Sequence, residues 1–567
     1  MTVTATRGNI ATCLSEIATA QPYARAIVVP AGRDALGRRT WTQLNFQQLN
    51  AEVDVLCYAL RDAGITRGMR TLMAVKPGIE FVALTWALFR LGAIPVLIDP
   101  GMGRAGLFHA IKHVQPEALI AIPVAHAARL TVGRSAFASV KINVTVGRRW
   151  FWGGPTYASM LQRGAMLGGG VHYPAADTKP DDTAAILFTT GSTGPAKGVV
   201  YKHRVFDAQV QMLRERFGIG PGDIDQPAFP LFALFSNALG ATVVIPELDA
   251  SRPATVDPAL WMESIRSQGV TFSFGSPAIW KRVVEYAKAA SEPIMPSLRL
   301  VLMAGAPVPP SLFAGVREIV SEECEIVSPY GATECLPVST VTDKEILGGL
   351  GDKTRAGRGI CVGKPLPGMQ VAIIRIDDGP LRTWTSDLPR SHGEVGEICF
   401  KGPVVTEEYY KLPGPTDLAK IKADDGSIWH RMGDVGRLDE DGRIWFYGRK
   451  AHRVVIGEGA GGDTWFTIPC EAIYNNHPSV ARSALVGVGV GQYRRPVMIC
   501  EPVPDKYPQT PEAIGKLMEE LGKLGKSSKL TEDIAVVLIH PSFPVDYRHN
   551  AKIIREELAV WATQQLK

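Results

Sequence analysis

Cysteine is scarce in this chain. Its eight residues among 567, Cys13, Cys57, Cys324, Cys335, Cys361, Cys399, Cys470 and Cys500, show no CxxC or other metal-ligand spacing. They are too few for a disulfide framework, so they read as buried, reduced thiols of a cytoplasmic protein. Charge of one sign is equally scarce. Lys and Arg number 61 against 56 Asp and Glu, a net +5, with no block of five like charges. A nucleic-acid binder needs a clustered basic face, which leaves small molecules or proteins as the expected partners. Long apolar runs are also missing. Residues 81–100 form the most apolar stretch, but Arg90 interrupts it and Asp99-Pro100 ends it, short of the roughly 18 apolar residues of a transmembrane helix. The first twenty residues lack the positive start and apolar core of a signal peptide. The chain holds 57 Gly and 41 Pro, many turns but below the roughly 25% of a low-complexity chain. No internal repeat occurs.

What is present is ample core: 46% hydrophobic and 21% charged residues, in a length that at about 150 residues per domain suggests roughly four compact units. In the first half, short strand-like runs at 71–75, 94–98, 184–188, 241–245, 271–274 and 300–303 alternate with helical spacing, as at 44–63 and 80–91. That alternation predicts an α/β fold with mainly parallel sheets covered on both faces. Such sheets bind ligands beyond the carboxyl ends of their strands. From about Gly363 the texture shifts to shorter strands and turns (369–376, 397–400, 444–447), a small β-rich unit. Beyond Gly448 come strands at 484–488 and 535–539 and a terminal helix from about Ile553, placing a boundary near 448–452.

The stretch Ile186-Leu-Phe-Thr-Thr-Gly-Ser-Thr-Gly-Pro-Ala-Lys-Gly-Val-Val200 is the most informative. A strand stops at Phe188, and small and hydroxylated residues follow. Gly191, Gly194 and Gly198 allow close backbone approach, Thr189, Thr190, Ser192 and Thr193 add hydroxyls, and Lys197 adds a mobile cation. A concave set of N–H and O–H donors with one lysine suits polyphosphate; a solvated turn is the plain alternative. The order Ala196-Lys197-Gly198 is not the Gly-Lys-Ser/Thr of a P-loop, and the run is not GxGxxG.

This loop resembles the signature of the adenylate-forming superfamily, which includes acyl-CoA synthetases, peptide-synthetase adenylation domains and beetle luciferases, and further motifs follow in the family's order. Leu300-Val-Leu-Met-Ala-Gly-Ala-Pro307 is a strand and small-residue turn. The resemblance sets Gly305, Ala306 and Pro307 against adenine. Tyr330-Gly331-Ala332-Thr333-Glu334 matches Tyr-Gly-x-Thr-Glu. There the aromatic would stack on purine, Thr333 would bond the α-phosphate and Glu334 would hold Mg²⁺, an ion usually held by one or two carboxylates plus phosphates. His430-Arg-Met-Gly-Asp434 corresponds to a Thr-Gly-Asp element, implying Asp434 as the ribose ligand. Gly448-Arg449 fits the family's junction pair, with Arg449 reaching ribose or phosphate. Pro544 to Arg555 sits where the family carries a lysine on a mobile C-terminal domain, which makes Lys552 the catalytic lysine, with Glu334 and Thr190 the other implied catalytic residues. The implied cofactors are ATP and Mg²⁺. The implied architecture is a large N-terminal domain (1–449) of two packed α/β subdomains and a small β-barrel-like subdomain, with a small mobile α+β C-terminal domain (450–567).

Four departures bear on the acyl acceptor. Ala233 in Phe229-Pro-Leu-Phe-Ala-Leu-Phe stands where many relatives carry histidine, and Ala451 where the hinge is usually Asp or Lys. The loop Gly457 to Pro469 is expanded, and Asn550-Ala551 precedes Lys552 where Gly is usual. These put transfer to a thiol in doubt. Together with Tyr201-Lys-His-Arg204 after the phosphate loop and Gly448-Arg-Lys-Ala-His-Arg453 they resemble the olefin β-lactone synthetase branch of bacterial long-chain hydrocarbon biosynthesis. The resemblance implies a long-chain 2-alkyl-3-hydroxy acid, adenylated and then closed by its own 3-hydroxyl into a β-lactone. It also implies partnership with the reductase that makes the acid and the decarboxylase that consumes the lactone. A thiol-dependent long-chain acyl-CoA ligase or an acyl-AMP ligase is the rival. A non-catalytic adenylate binder is disfavoured because Lys552 and Glu334 are both present. An apolar groove must hold two alkyl chains, with Phe229, Phe232, Ala233, Leu234 and Phe235 as candidate walls. His203 is a candidate base, with a packing role as its plainer reading.

Overall fold

Strands whose residues are buried on both faces can lie side by side only under two layers of helix. Ala118–Ala121, Phe272–Gly275 and Leu300–Met303 are each buried at every residue. In the computed structural model, which describes residues 6–189, 196–249, 251–290, 294–457, 463–489, 494–545 and 553–566, these runs build two large sheets. One has nine strands. At its centre Glu325–Ala332, Leu300–Met303, Phe272–Gly275, Ile224–Pro227, Thr242–Val244 and Arg25–Arg33 run parallel, with antiparallel strands at both edges. The other has six: Ile142–Thr145, Ala118–Ala121, Arg70–Ala74, Ile94–Ile98 and Thr183–Thr189 run parallel, and Lys197–Lys202 pairs antiparallel at the edge.

The helices follow their sequence signals. Asn45 caps Phe46–Asp62 through a reciprocal bond with Gln48. Helix Ile79–Leu91 is buried from Phe81 to Leu91, which explains its apolar run. The interrupting Arg90 is itself fully buried, ion-paired to Asp54 and donating to Asn50 Oδ1 at 2.7 Å and Ser15 Oγ at 2.9 Å. A buried guanidinium is tolerated when paired and hydrogen-bonded in this way. Among the described residues no helix is long and apolar enough to cross a membrane. All eight cysteines are free and buried, and burial pushes the thiols of Cys13, Cys57 and Cys470 up to about 12.

The third sheet, of Ile360–Cys361, Ile444–Arg449, Ile428–Leu438, Gly396–Lys401 and Gln370–Ile374 with Lys420–Lys422 on its flank, is antiparallel and open. The barrel-like expectation for this unit therefore becomes an open sheet, whose end strands Ile360–Cys361 and Gln370–Ile374 do not pair among the described residues. The last segment forms a three-stranded sheet, Val480–Val488, Arg495–Pro502 and Val536–Ile539, with helices Thr467–Tyr474, Pro511–Lys526 and Arg555–Gln565. Its hydrophobic clusters are drawn from residues beyond 453.

Candidate active site

The carboxyl ends of the two large sheets open into one cavity of about 2260 Å³. Most of the sequence-marked turns meet there. After Leu300–Met303 the chain turns at Gly305, whose φ of 97° is open to glycine at little cost, and Gly305, Ala306 and Pro307 line the wall. Thr189 ends its strand directly opposite Lys197, so the phosphate loop leaves and re-enters the sheet at one point. Thr190, Gly191, Ser192, Thr193 and Gly194 lie outside the described residues. Lys197 lines the cavity with its ammonium 5.0 Å above the Tyr409 ring.

Tyr330, Gly331 and Ala332 are the last residues of strand Glu325–Ala332, and the chain doubles back at once, Ala332 pairing with Cys335. A Cβ on Gly331 would come within 2.7 Å of Leu336 Cβ and 2.9 Å of the Cys335 carbonyl, so the tight return requires glycine. Ala332, Thr333 and Glu334 line the cavity; the Thr333 carbonyl accepts from the Tyr201 hydroxyl. Glu334 Oε1 accepts from the Tyr409 hydroxyl at 2.7 Å, and its main-chain oxygen accepts from Thr406 N at 3.0 Å and Oγ1 at 2.9 Å. Tyr409 thus holds the carboxylate with its hydroxyl while its ring faces Lys197. Among the described residues no group of three or more His, Cys, Asp or Glu gathers as a metal cage. A single carboxylate at the wall of a polyphosphate-sized cavity fits Mg²⁺, which takes most of its ligands from water and phosphates.

Asp434 lies in strand Ile428–Leu438, directly across the ladder from Arg449. Its Oδ1 sits 2.9 Å from Arg449 Nη1, and its Oδ2 accepts from the Tyr330 hydroxyl at 2.5 Å. Asp434 is 4% exposed, and Tyr330, Asp434 and Arg449 all line the cavity. Burial, and then the Asp434 charge, hold the Tyr330 hydroxyl well above its usual range; the Asp434 charge also raises Arg449. The Tyr330 ring is backed by Phe400 and Phe446 at 6.2 and 6.3 Å. His430, four residues before Asp434, was not marked as a site residue, yet it lines the same wall. Its Nδ1 is 3.2 Å from the Ala419 carbonyl, and burial keeps the ring neutral, well below its ordinary pKa.

Lys552 lies outside the described residues. The chain on either side is tied together: Val545 bridges Ile553, and Ile554 N donates to the Pro544 carbonyl at 2.9 Å. Ile553, Ile554 and Arg555 line the cavity, and Arg555 is held by Glu471 Oε2 at 3.0 Å. At the junction, Ala451 sits in the turn Lys450–His452. Its neighbours are pinned: Lys450 Nζ lies 3.1 Å from Glu397 Oε2 and 2.7 Å from the Asp377 carbonyl, and Arg453 lies 2.6 Å from Asp378. Glu397 is also paired with the buried Arg431 at 2.6 Å.

The acyl-pocket expectations divide. Phe229, Phe232 and Phe235 line the cavity, with the Phe232 ring tilted against Phe274 at 4.2 Å between centroids. Ala233 and Leu234 do not line it: helix Pro230–Leu239 turns about 100° per residue and carries them into the core. His203 must also be withdrawn as a candidate base. It is 1% exposed, is absent from the cavity wall, and its Nδ1 accepts the Ile10 N–H at 3.2 Å. Burial pulls it down to about 4, so it is a neutral packing residue.

No motif marks Asp225, which lines the apolar end of the cavity at 1% exposure. Ser236 Oγ donates to its Oδ2 at 2.5 Å, and among the described residues no partner reaches its Oδ1. Burial raises this carboxyl well above 3.8. The folded protein therefore holds the proton more tightly than the unfolded chain, a stabilisation complete below pH 3.8 and lost as pH rises through the raised value. Asp225→Asn should melt higher than the parent at pH 8–9 and lose that advantage below about pH 4. Melting temperatures across that range check the sign.

A family model described as AMP-binding enzyme matches residues 15–410. The olefin beta-lactone synthetase of Xanthomonas campestris pv. campestris is 43% identical over 562 residues, 98% of each chain. That of Stenotrophomonas maltophilia is 44% identical over 569 residues, 99% of each. Among solved structures, ATP-bound MatB from Rhodopseudomonas palustris superposes with a TM-score of 0.75 at 18% identity, covering 99% of this chain and 100% of that one. MenE from Bacillus subtilis in complex with AMP gives 0.71 at 19% identity, covering 96% and 97%. At those identities the two structures speak for the fold alone, while the matched model spans more than half the chain, and this protein belongs to the AMP-binding enzyme family.

Proposed function

We propose that this enzyme is an ATP-dependent, AMP-forming β-lactone synthetase acting on a long-chain 2-alkyl-3-hydroxy acid. The observation that carries the reading is its likeness, over nearly the whole of each chain, to two olefin beta-lactone synthetases. In the first step a substrate carboxylate oxygen attacks the α-phosphorus, the bond to the bridging oxygen of pyrophosphate breaks, and acyl-AMP forms. In the second the 3-hydroxyl oxygen attacks the acyl carbon, the bond to the phosphate oxygen breaks, and β-lactone and AMP leave with release of the hydroxyl proton. Tethering the nucleophile raises its effective concentration to as much as about 10⁵–10⁸ M, which offsets ring strain.

The residues would divide the work by charge and position. Asp434, oriented by Tyr330 and Arg449, would accept both ribose hydroxyls, and Gly305, Ala306 and Pro307 would flank adenine. Lys197 with the 189–194 loop would hold the outgoing phosphates, and Glu334, oriented by Tyr409, would hold Mg²⁺. When bound, that ion neutralises phosphate charge. Lys552 would bridge the attacking carboxylate and the α-phosphate. We read 1–449 as the nucleotide-binding unit and 450–567 as the unit that delivers Lys552, a division supported by the separate hydrophobic clusters beyond 453. Cytoplasmic residence and association with the reductase and decarboxylase of the same reaction sequence belong to the same proposal.

The test is incubation with ATP, Mg²⁺ and a 2-alkyl-3-hydroxy acid without any thiol, followed by mass analysis. Repeated release of lactone and AMP is the expected result. Stoichiometric acyl-AMP that turns over only when coenzyme A is added would instead mark a thiol ligase.

A further inference from the structure

A cavity of about 2260 Å³ is more than twice the roughly 300–1,000 Å³ of an ordinary small-molecule site. Its apolar lining includes side chains from both faces of the six-stranded sheet. Successive side chains of a strand point to opposite faces, and at the end of Thr183–Thr189 both Leu187 and Phe188 line the cavity although they belong to separate hydrophobic clusters on either side of the sheet. On the Leu187 side the space runs beside helices His203–Phe217 and Pro230–Leu239, past Phe206, Leu213 and Phe235. This is where the phenylalanine-rich motif placed an acyl chain. On the Phe188 side a second branch passes between the sheet and helices Gly103–Val114 and Pro123–Leu130, walled by Leu72, Met102, Phe108, Ile111, Ile122 and Phe137. No motif pointed to that branch. Lys76, Asp99 and Lys197 also line the cavity, just beyond the ends of Arg70–Ala74 and Ile94–Ile98 and at the start of Lys197–Lys202.

We infer that this second branch is a binding site for a long saturated alkyl chain, so that a doubly branched acid straddles the end of strand Thr183–Thr189 with one chain on each face. The chemistry of the substrate fits the fork. In a 2-alkyl-3-hydroxy acid the two chains leave adjacent carbons next to the carboxyl group, so their sites must diverge from one mouth at the reacting centre. The branch wall is apolar side chains from two helices and a sheet face, which recognises hydrocarbon by area and excludes charge. The inference rests on the lactone-synthetase reading and assigns the second chain a place within it.

The test fills the branch from its helical side. Leu107 and Ala125 line it from separate helices and are half-buried, so Leu107→Trp and Ala125→Trp narrow it independently. Each is assayed for pyrophosphate exchange and lactone release with a 2-alkyl-3-hydroxy acid and with the 3-hydroxy acid of the same main chain unsubstituted at C2. The expected result is a loss of kcat/KM on the order of 100-fold for the two-chain acid, with the one-chain acid within about twofold of the parent. Retained one-chain activity shows that the variant folds. If neither variant separates the two acids, whether both activities persist or both fall, the second branch is not an alkyl site. Failure of the unsubstituted parent enzyme to make lactone from either acid is a different outcome, and it would overturn the reading of the reaction itself.

Discussion

Lys552→Ala should lower ATP–pyrophosphate exchange by on the order of 10²–10³ while ATP binding stays within about twofold. The reason is where charge builds up. As the carboxylate approaches the α-phosphorus, two anions converge on one centre, and the repulsion peaks in the transition state rather than in the ATP complex. A cation brought between them stabilises that state selectively, so its loss is felt in rate and not in affinity. The described chain beside the segment that carries it reaches the cavity: Ile553 and Ile554 line it, and Val545 bridges Ile553. Isotope exchange measures the rate, and calorimetric titration with ATP measures the affinity. Exchange near the parent rate would remove Lys552 from the chemistry.

Asp434→Asn should raise the KM for ATP by roughly 10- to 100-fold with a smaller change in kcat, because a carboxylate accepting both ribose hydroxyls binds substrate and transition state alike. Asparagine keeps the size but loses the charge paired with Arg449 at 2.9 Å and replaces one acceptor by a donor, which must face either Arg449 or the Tyr330 hydroxyl. The companion Tyr330→Phe leaves the carboxylate charged and ion-paired, and should cost less than about fivefold. Equal losses in both variants would mean that Asp434 serves only to anchor Tyr330. Steady-state kinetics with ATP varied, beside melting curves to exclude unfolding, decide between these outcomes.

The turns that line this end of the cavity were legible because their constraints are local. Gly331 is required where a Cβ would meet Leu336 and Cys335, and Glu334 and Thr333 follow that return by covalent connection alone. The strand periods were legible for the same reason, since full burial of Phe272–Gly275 or Leu300–Met303 shows as an unbroken apolar run. The acyl side was read less well. Phe229 to Phe235 is an apolar run in which each member looks alike, and only the helical turn sends Phe232 and Phe235 to the cavity and Ala233 and Leu234 to the core. His203 could be read as a base or, more plainly, as a packing residue, and only the fold decides for packing by setting its Nδ1 on the Ile10 N–H, 193 residues away.

By itself the sequence determined the covalently local features: a parallel α/β design, the order of the turns that line the cavity, and the residue types proposed to meet phosphate, ribose and metal. The tertiary structure alone decided what depends on distant chain segments. It brought Tyr409 to Glu334 across 75 residues and Tyr330 to Asp434 across 104, buried Asp225 against the apolar end of the cavity, and opened a second branch on the Phe188 face of the sheet. Spacing along a chain records neighbours within a turn or a strand, whereas a cavity is the space left where separate elements fail to touch, and no residue carries that in its own position.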